Sequence, residues 1–417
     1  MTRVRSVAAA LSVALGMVSM AAVVTPVTVQ AAEKAKPKFS KAVAVPLQAA
    51  QKAMQAKQWD TALGELKKAQ AVENKTPVES YQIDEFLGYI LLQKKQYKEA
   101  AVVFERMLDS GQVPADQVDD RTKAVAQMYF QEKEYKKSAQ WAKKWLDKHP
   151  NNEDMAVLLG QSYYLLNDFK GAASTMAGLV SQIEKSGGTP KENYIQIVLS
   201  SQFKQDNKDG VADALKKMVR YYPKPEYWEN LTDIYRRKNN GDRVNLGYYR
   251  LMNDVGVLKD KNDFMEYAQL TIEAGVPGEG QSVVEKAMAA GTLKSDDKTE
   301  QGRYERLLAA TKKQATADRA SLGQLAKDAE KAPQGQALVG LGQAYVSYGM
   351  LDEGIAALQE GIKKGGVTDI DDAQISLGLA YLKKGQKDQA RQAFKAVKAD
   401  SKWADLASLW TIRTYNS

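Results

Sequence analysis

Apolar and polar residues alternate along this chain with the period of short amphipathic helices. The stretch before residue 94 shows the pattern, because its apolar side chains fall at helical spacing on one face: Phe86, Leu87, Ile90 and Leu91. A polar turn, Lys94-Lys95-Gln96, separates them from a second apolar face that opens at Tyr97. The pattern predicts two helices packed as a hairpin, and similar stretches continue almost to the C terminus.

One short motif recurs along the sequence, Leu-Gly-x-x-Tyr, at residues 159–163, 341–345 and 377–381. Twelve residues beyond the glycine position, two units carry Ala-x-x-x-Phe, at Ala100 after Gly88 and at Ala390 after Gly378. A recurring motif of this kind indicates a repeat array. These residues resemble the tetratricopeptide repeat over almost the whole chain. The resemblance implies an all-α fold, an α-solenoid superhelix of stacked helix hairpins that is used for binding.

The small residue of each first helix marks one predicted hairpin, and successive markers lie 32 to 40 residues apart. The ten markers are Ala50, Gly88, Ala126, Gly160, Ser200, Thr232, Ala268, Leu308, Gly342 and Gly378. We therefore expect about ten hairpins, divided at the glycine-rich stretch Gly187–Pro190 into N-terminal repeats (47–186) and C-terminal repeats (190–400). Apolar residues near the C terminus predict one more helix, over 401–417, that caps the stack.

The N terminus has the order of a Sec-type signal peptide. Arg3 and Arg5 precede an apolar run from Val7 to Val24, and small residues lead to Ala31. A permanent transmembrane anchor is the alternative, but Ala, Ser and Gly make the run weakly hydrophobic. We predict a signal peptide over residues 1–31, a flexible lead-in over 32–46, and a periplasmic protein without a stable membrane anchor.

The charge balance adds little to this interpretation. Lys and Arg exceed Asp and Glu by 59 to 51, a net charge of +8, and removal of Arg3 and Arg5 with the signal leaves +6. This mild basic bias suits acidic proteins, anionic glycans or phospholipid surfaces without choosing among them. The export signal argues against nucleic acid as a partner.

The sequence offers almost no material for an active site. His149 is the only histidine and stands directly before Pro150, where a turn is the simpler interpretation. Cysteine is absent, so a closed zinc site is not expected. The segment Asp206–Gly210 is similar to part of a calcium loop, but carboxylates are missing at its first and twelfth positions. We expect a non-catalytic protein without metal or cofactor.

The resemblance implies that partners bind on the face of the first helices opposite their packed Leu, Gly and Tyr positions. The side chains predicted to line this groove are Tyr89, Leu92, Gln127, Phe130, Gln161, Tyr164, Asp233, Arg236 and Arg237. Aromatic residues and Arg are typical interface anchors. The basic aromatic stretch from Arg220 to Arg250 is a second candidate surface, with repeat core plus a solvated basic loop as its alternative.

A narrower similarity begins at Pro225–Leu231, continues through Ala274–Pro277 and ends at Val283–Met288. It is similar to exported tetratricopeptide proteins encoded beside TonB, ExbB and ExbD. That resemblance implies a periplasmic scaffold for envelope proteins, accessory to TonB-dependent outer-membrane transport. The basic aromatic stretch favours the alternative function, a glycan or cell-wall associated module of an envelope polysaccharide assembly or export system.

Overall fold

The computed structural model describes residues 39–238 and 240–416. Every regular element in these two ranges is a helix, so the all-α prediction is confirmed. The predicted signal peptide lies outside the described residues. The chain divides into two compact units, the first ending at Val211 and the second starting at Ala212.

The first unit holds the earlier helices, in hairpins as the sequence predicts. Its helices, the last of which continues into the second unit, are α1 (Lys41–Gln55), α2 (Trp59–Gln70), α3 (Pro77–Gln93), α4 (Tyr97–Asp109), α5 (Ala115–Gln131), α6 (Tyr135–Leu146), α7 (Glu153–Leu165), α8 (Phe169–Lys185), α9 (Glu192–Lys204) and α10 (Lys208–Tyr221). Each second helix also packs against the first helix of the next hairpin, up to α8 on α9.

Two predicted boundaries in this unit need correction. Helix α1 begins at Lys41, so residues 41–46 of the predicted flexible lead-in are helical, with Pro46 inside the helix and Val43 in the core. The division between units falls inside α10 and not at Gly187–Pro190, because α8 and α9 pack against each other across that stretch.

The second unit contains hairpins and one much longer helix. Its helices are α11 (Pro225–Arg236), α12 (Asp242–Asp254), α13 (Lys261–Glu273), α14 (Pro277–Ala289), α15 (Lys298–Lys331), α16 (Gln336–Ser347), α17 (Leu351–Lys364), α18 (Ile370–Lys383), α19 (Lys387–Lys395) and α20 (Ala404–Asn416). The hairpin predicted around Leu308 is wrong, because α15 is a single helix of 34 residues. Its sequence is rich in Ala, Leu, Lys and Gln and contains no proline, so nothing stops the helix.

Small residues bring the helices of a hairpin together, as the motif predicts. A Cβ atom on Gly88 would lie 2.7 Å from Cε2 of Phe104, which is closer than real contacts allow. Gly160 lies against Met176, and Gly378 lies against Phe394 in the same way. The sulfur atom or ring therefore fills the space that a side chain would occupy, and the predicted close contacts at Gly160 and Gly378 are confirmed.

The predicted C-terminal helix is present as α20, and its apolar face is buried through Leu406, Leu409 and Trp410. It packs on α19, the preceding helix. It also packs on α12, where Leu406 contacts Gly247. The last helix of the second unit therefore packs against α12, one of the first helices of that unit.

Candidate functional site

The first helices of the hairpins in the first unit form one layer. Helix α1 contacts α3, α5 contacts α7, and α7 contacts α9. An ion pair of 3.0 Å between Arg121 Nη2 and Glu85 Oε1 joins α5 to α3. We call the side of α3, α5 and α7 that carries Tyr89, Gln127 and Gln161 the first-helix face.

Two predicted groove residues keep unused polar groups on this face. Tyr89 and Gln127 are both half-buried. The Tyr89 ring meets Trp59 edge-on, with 6.1 Å between ring centroids, which holds its orientation. Neither the Tyr89 hydroxyl nor the Gln127 amide has a hydrogen-bond partner within residues 39–238 and 240–416. Both groups are free to contact another molecule.

Gln161 corrects the sequence prediction of a surface residue, because its side chain is only 2% exposed. It stands at the same repeat position as Gln127, 34 residues later, but its neighbours cover it more completely. Its Oε1 atom is buried and has no hydrogen-bond partner in the part of the chain that the structure describes. Such an orphaned acceptor is uncommon in folded proteins.

Three other predicted groove residues pack within the hairpins or against their neighbours. Leu92, Phe130 and Tyr164 each stand five residues before the first residue of the next helix. The rings of Phe130 and Tyr135 meet edge-on at 5.5 Å, those of Tyr164 and Phe169 meet at 5.4 Å, and Leu92 packs on the core. The Tyr164 hydroxyl also lies 2.7 Å from Ser200 Oγ. These side chains hold each hairpin at its turn.

The predicted groove residues of the second unit form bonds with their own neighbours on and near α11. Arg237 Nε donates to Asp233 Oδ2 at 2.9 Å, and Arg236 Nη1 donates to the Tyr249 hydroxyl at 2.8 Å. The basic aromatic stretch keeps five of its seven rings buried and leaves Tyr221 and Tyr222 half-buried; the buried rings are Tyr227, Trp228, Tyr235, Tyr248 and Tyr249. The core interpretation of these five rings is confirmed.

The described residues hold no cluster of His, Cys, Asp and Glu that could bind a metal ion. His149 contacts Asp119, with 2.7 Å between Nε2 and Oδ2, and packs on Trp145 at 4.4 Å between ring centroids. None of the described helices combines the length and apolar content needed to cross a bilayer.

The second unit contains a cavity of about 250 Å³ that the sequence did not predict. Residues of α12, α13, α14, α16, α18 and α20 line it, and we call it the second-unit cavity. On its wall Arg250 Nη2 lies 2.7 Å from Glu279 Oε2, and the Tyr267 hydroxyl donates to Glu279 Oε1 at 2.6 Å. Burial alone would raise the pKa of Glu279, but Arg250 outweighs it and holds that pKa well below its ordinary value.

No local pattern signals this cavity, because its charged residues come from helices far apart in sequence. Lys286 lies on α14 and Lys383 lies on α18, almost 100 residues later. The only sequence hint is their spacing along each helix: Lys286 follows Glu279 by seven residues, as Lys383 follows Ser376, so each pair shares a helix face.

Comparisons with known proteins support the repeat architecture. A profile described as tetratricopeptide repeat matches residues 47–116 and 339–403. A profile described as anaphase-promoting complex, cyclosome, subunit 3 matches residues 93–179. No curated protein matches the chain.

Several solved structures are similar at low identity. A tetratricopeptide repeat protein from Parabacteroides merdae is 14% identical, with 65% of this chain and 99% of that one covered and a TM-score of 0.30. MamA from Desulfovibrio magneticus RS-1 is 17% identical, with 45% and 98% covered and a TM-score of 0.29. The structure of Naa15/Naa10 bound to HypK-THB is 13% identical, with 87% and 59% covered and a TM-score of 0.31. These similarities are too low to bear on a site.

The matched segments fall in both compact units, and within them Gly88, Gly342 and Gly378 lie at close helix contacts. The chain therefore contains tetratricopeptide repeats in both units.

Proposed function

We propose that this protein is a non-catalytic scaffold whose first-helix face binds an extended segment of a partner protein. The observation that carries the proposal is the half-buried Gln127, whose amide has no hydrogen-bond partner among the described residues. Tyr89 adds a half-buried ring with a free hydroxyl on the adjacent helix. Tetratricopeptide repeats in the same unit support a role in protein binding.

The chemistry of a glutamine side chain explains why a polypeptide is the expected partner. Its amide offers one acceptor oxygen and two N–H donors, which match the C=O and N–H groups of an extended backbone. Gln161 Oε1 is covered by its neighbours and is not open to a partner. The half-buried amide of Gln127, which has no hydrogen-bond partner among the described residues, is the one that can contact a backbone.

We further propose that the scaffold acts in the periplasm with components of a TonB system. This part rests on the signal-like N terminus and on the narrower sequence similarity. The residues of that similarity do not form the binding face themselves, since Tyr227 and Trp228 are core residues of the second unit. The partner must therefore be identified by binding.

No observation favours the glycan alternative. It depended on aromatic rings available for stacking within residues 220–250, and the five rings named above are buried. The other two rings of the stretch, Tyr221 and Tyr222, are half-buried, and nothing observed there indicates a sugar site, so we do not develop this function.

Binding to purified periplasmic domains of TonB and of ExbD tests the function. The double variant Tyr89→Ala/Gln127→Ala should weaken binding of at least one of them about tenfold or more, an effect typical of losing interface anchors. The matched control Gln140→Ala removes an exposed amide from α6, a second helix, and should bind like the parent. Thermal melting of each variant verifies the fold.

Two results would count against parts of this proposal. If the parent binds neither domain, the TonB assignment is wrong, whereas parent binding that survives the double variant removes the first-helix face as the site. Location has its own test, which is N-terminal sequencing of the protein recovered from fractionated cells. An uncut chain in the inner membrane would contradict export of a cleaved protein.

A further inference from the structure

Two ammonium groups line the second-unit cavity without an ion-pair partner among the described residues. Lys286 lies on α14 and Lys383 lies on α18, and both side chains are exposed to the solvent that enters the cavity. Within the described ranges, neither has a hydrogen bond or an ion pair. Lysines on an outer surface often lack partners, but these two belong to one concave site.

The carboxylates of the cavity wall are already engaged. Both oxygens of Glu279 accept hydrogen bonds from Arg250, at 2.9 Å from Nε to Oε1 and 2.7 Å from Nη2 to Oε2. Asp254 pairs with Arg413 of α20 at 2.6 Å. With each acid matched by an arginine, the charges of Lys286 and Lys383 are surplus, and the cavity is an electropositive site.

The Trp410 indole on the cavity wall is another donor without a partner among the described residues. Trp410 lines the cavity and is 2% exposed, and its indole N–H is buried without an acceptor in the described part of the chain. The Nε2 group of Gln343 is not a free donor, because it donates to Asp372 at 3.1 Å and to Ser376 at 2.9 Å. The two lysines and the indole N–H are therefore donors that have no acceptor among the described residues.

The remaining wall is largely apolar and determines which chemical groups the rest of a ligand can have. Phe264, Val283, Val346, Leu379 and the Trp410 ring line the same space. Its volume of about 250 Å³ is below the usual range of about 300 to 1,000 Å³ for drug-sized ligands. A ligand that fits must be small, with an apolar body beside these walls and an acceptor-rich head between the lysines.

The lowered pKa of Lys383 agrees with a site in which negative charge does not balance the ammonium group. Burial and the nearby charges of Arg250 and Lys286 lower its pKa, while Glu279 and Asp254 act in the opposite direction without compensating. The residue as a whole is nevertheless exposed. An anion bound beside it would favour its protonated form.

We propose that the second-unit cavity is a binding site for a small organic anion, whose carboxylate or comparable head contacts Lys286 and Lys383 and whose apolar body packs against Trp410 and its neighbours. The site is independent of the proposed protein-binding face, which lies in the first unit.

A fluorinated aromatic acid is a direct probe of this site in the full chain. Saturable broadening of the ¹⁹F NMR signal of 4-fluorophenylacetate should report binding to the parent. Lys383→Met and Lys286→Met each keep the apolar stem and remove the charge. Each should weaken binding about fivefold to tenfold, the scale of one lost contact between opposite charges about 4 Å apart in a solvated site.

Matched controls separate the cavity from general charge effects. Lys384→Met removes the same charge from the residue next to Lys383, whose ammonium group pairs with Asp352 outside the cavity, and should bind like the parent. Lys383→Arg should retain most of the affinity. The neutral analogue 4-fluorophenylacetamide should bind much more weakly, and inorganic phosphate should compete poorly because it has no apolar body.

Several outcomes would overturn the proposal. They are absence of saturable binding of the acid to the parent at millimolar concentration, equal binding by Lys383→Met and Lys384→Met when both melt like the parent, and equal affinity for the neutral analogue. Complete competition by equimolar phosphate would remove the apolar part of the assignment and so contradict the proposal as stated.

Discussion

Arg250 and Glu279 form a two-point ion pair across the second unit, with the arginine on α12 and the glutamate on α14. Their side chains are 19% and 12% exposed, so both charges depend on each other more than on water. Glu279→Gln should therefore lower the free energy of unfolding by about 3 kcal/mol, at the lower end of the cost of breaking a buried pair.

Glu285→Gln on the same helix is the control for this substitution. Its carboxylate pairs with Lys312 at 3.1 Å, but both side chains are well exposed. Exposed pairs contribute about 0 to 1 kcal/mol. Urea denaturation of the two variants measures the difference, and equal losses would contradict the view that the Arg250–Glu279 pair is shielded from solvent.

The same ion pair predicts how stability depends on pH. The pKa of Glu279 is lowered in the folded chain, so the folded state prefers the charged carboxylate more than the unfolded state does. The resulting stabilisation is complete above the ordinary carboxyl pKa and is lost as the pH falls through the folded pKa. The difference in unfolding free energy between parent and Glu279→Gln should shrink between about pH 5 and pH 2. A constant difference would indicate that the carboxylate is not the stabilising species.

Substitution by alanine at two glycines of α16 should change the free energy of unfolding in opposite directions. A Cβ atom on Gly342 would lie 2.7 Å from Leu358 Cγ and 2.9 Å from the Gly354 carbonyl oxygen, while one on Gly340 would meet nothing within 4 Å. Gly342→Ala should cost about 1 to 3 kcal/mol through overpacking. Gly340→Ala should stabilise by about 0.5 to 1 kcal/mol through helix propensity. Thermal melting measures both effects. If both substitutions destabilised the protein, the contacts assigned to Gly342 and the open space assigned to Gly340 would be wrong.

The comparison of Gly342 with Gln161 shows what the sequence can predict. A repeat motif fixes which position lies between two helices, so the contacts of Gly160, Gly342 and Gly378 follow from spacing alone. It does not fix how deeply the neighbouring position is covered. Gln127 and Gln161 share one position, but the first is half-buried and the second is 2% exposed, because different side chains surround them.

The second-unit cavity is even harder to predict from local sequence patterns. It requires α12, α14 and α18 to surround one space, and the return of α20 onto α12 depends on contacts such as Leu406 with Gly247. Residues 159 positions apart in sequence, such as Arg413 and Asp254, form its ion pairs. Periodicity within one helix carries no information on such pairs.

The continuity of α15 can be tested at its middle. Ala317 is exposed there, so its side chain contributes little packing. Ala317→Pro should cost about 3 kcal/mol or more, because proline removes a helical hydrogen bond and clashes with the preceding turn. Ala317→Gly, the control, should cost about 1 kcal/mol. A proline variant that melts like the parent would favour the turn that the repeat pattern predicted in this segment.

The closure of the second unit predicts coupling between two residues that no repeat motif connects. Leu406 is fully buried, and a Cβ atom on Gly247 would overlap its side chain. Gly247→Ala should cost about 1 to 3 kcal/mol in the parent, and Leu406→Ala should cost about 2 to 5 kcal/mol by leaving a cavity. In the double variant the new methyl group occupies part of that cavity, so the combined loss should be smaller than the sum. Additive losses, measured by urea denaturation in a double-mutant cycle, would show that α20 does not pack on α12.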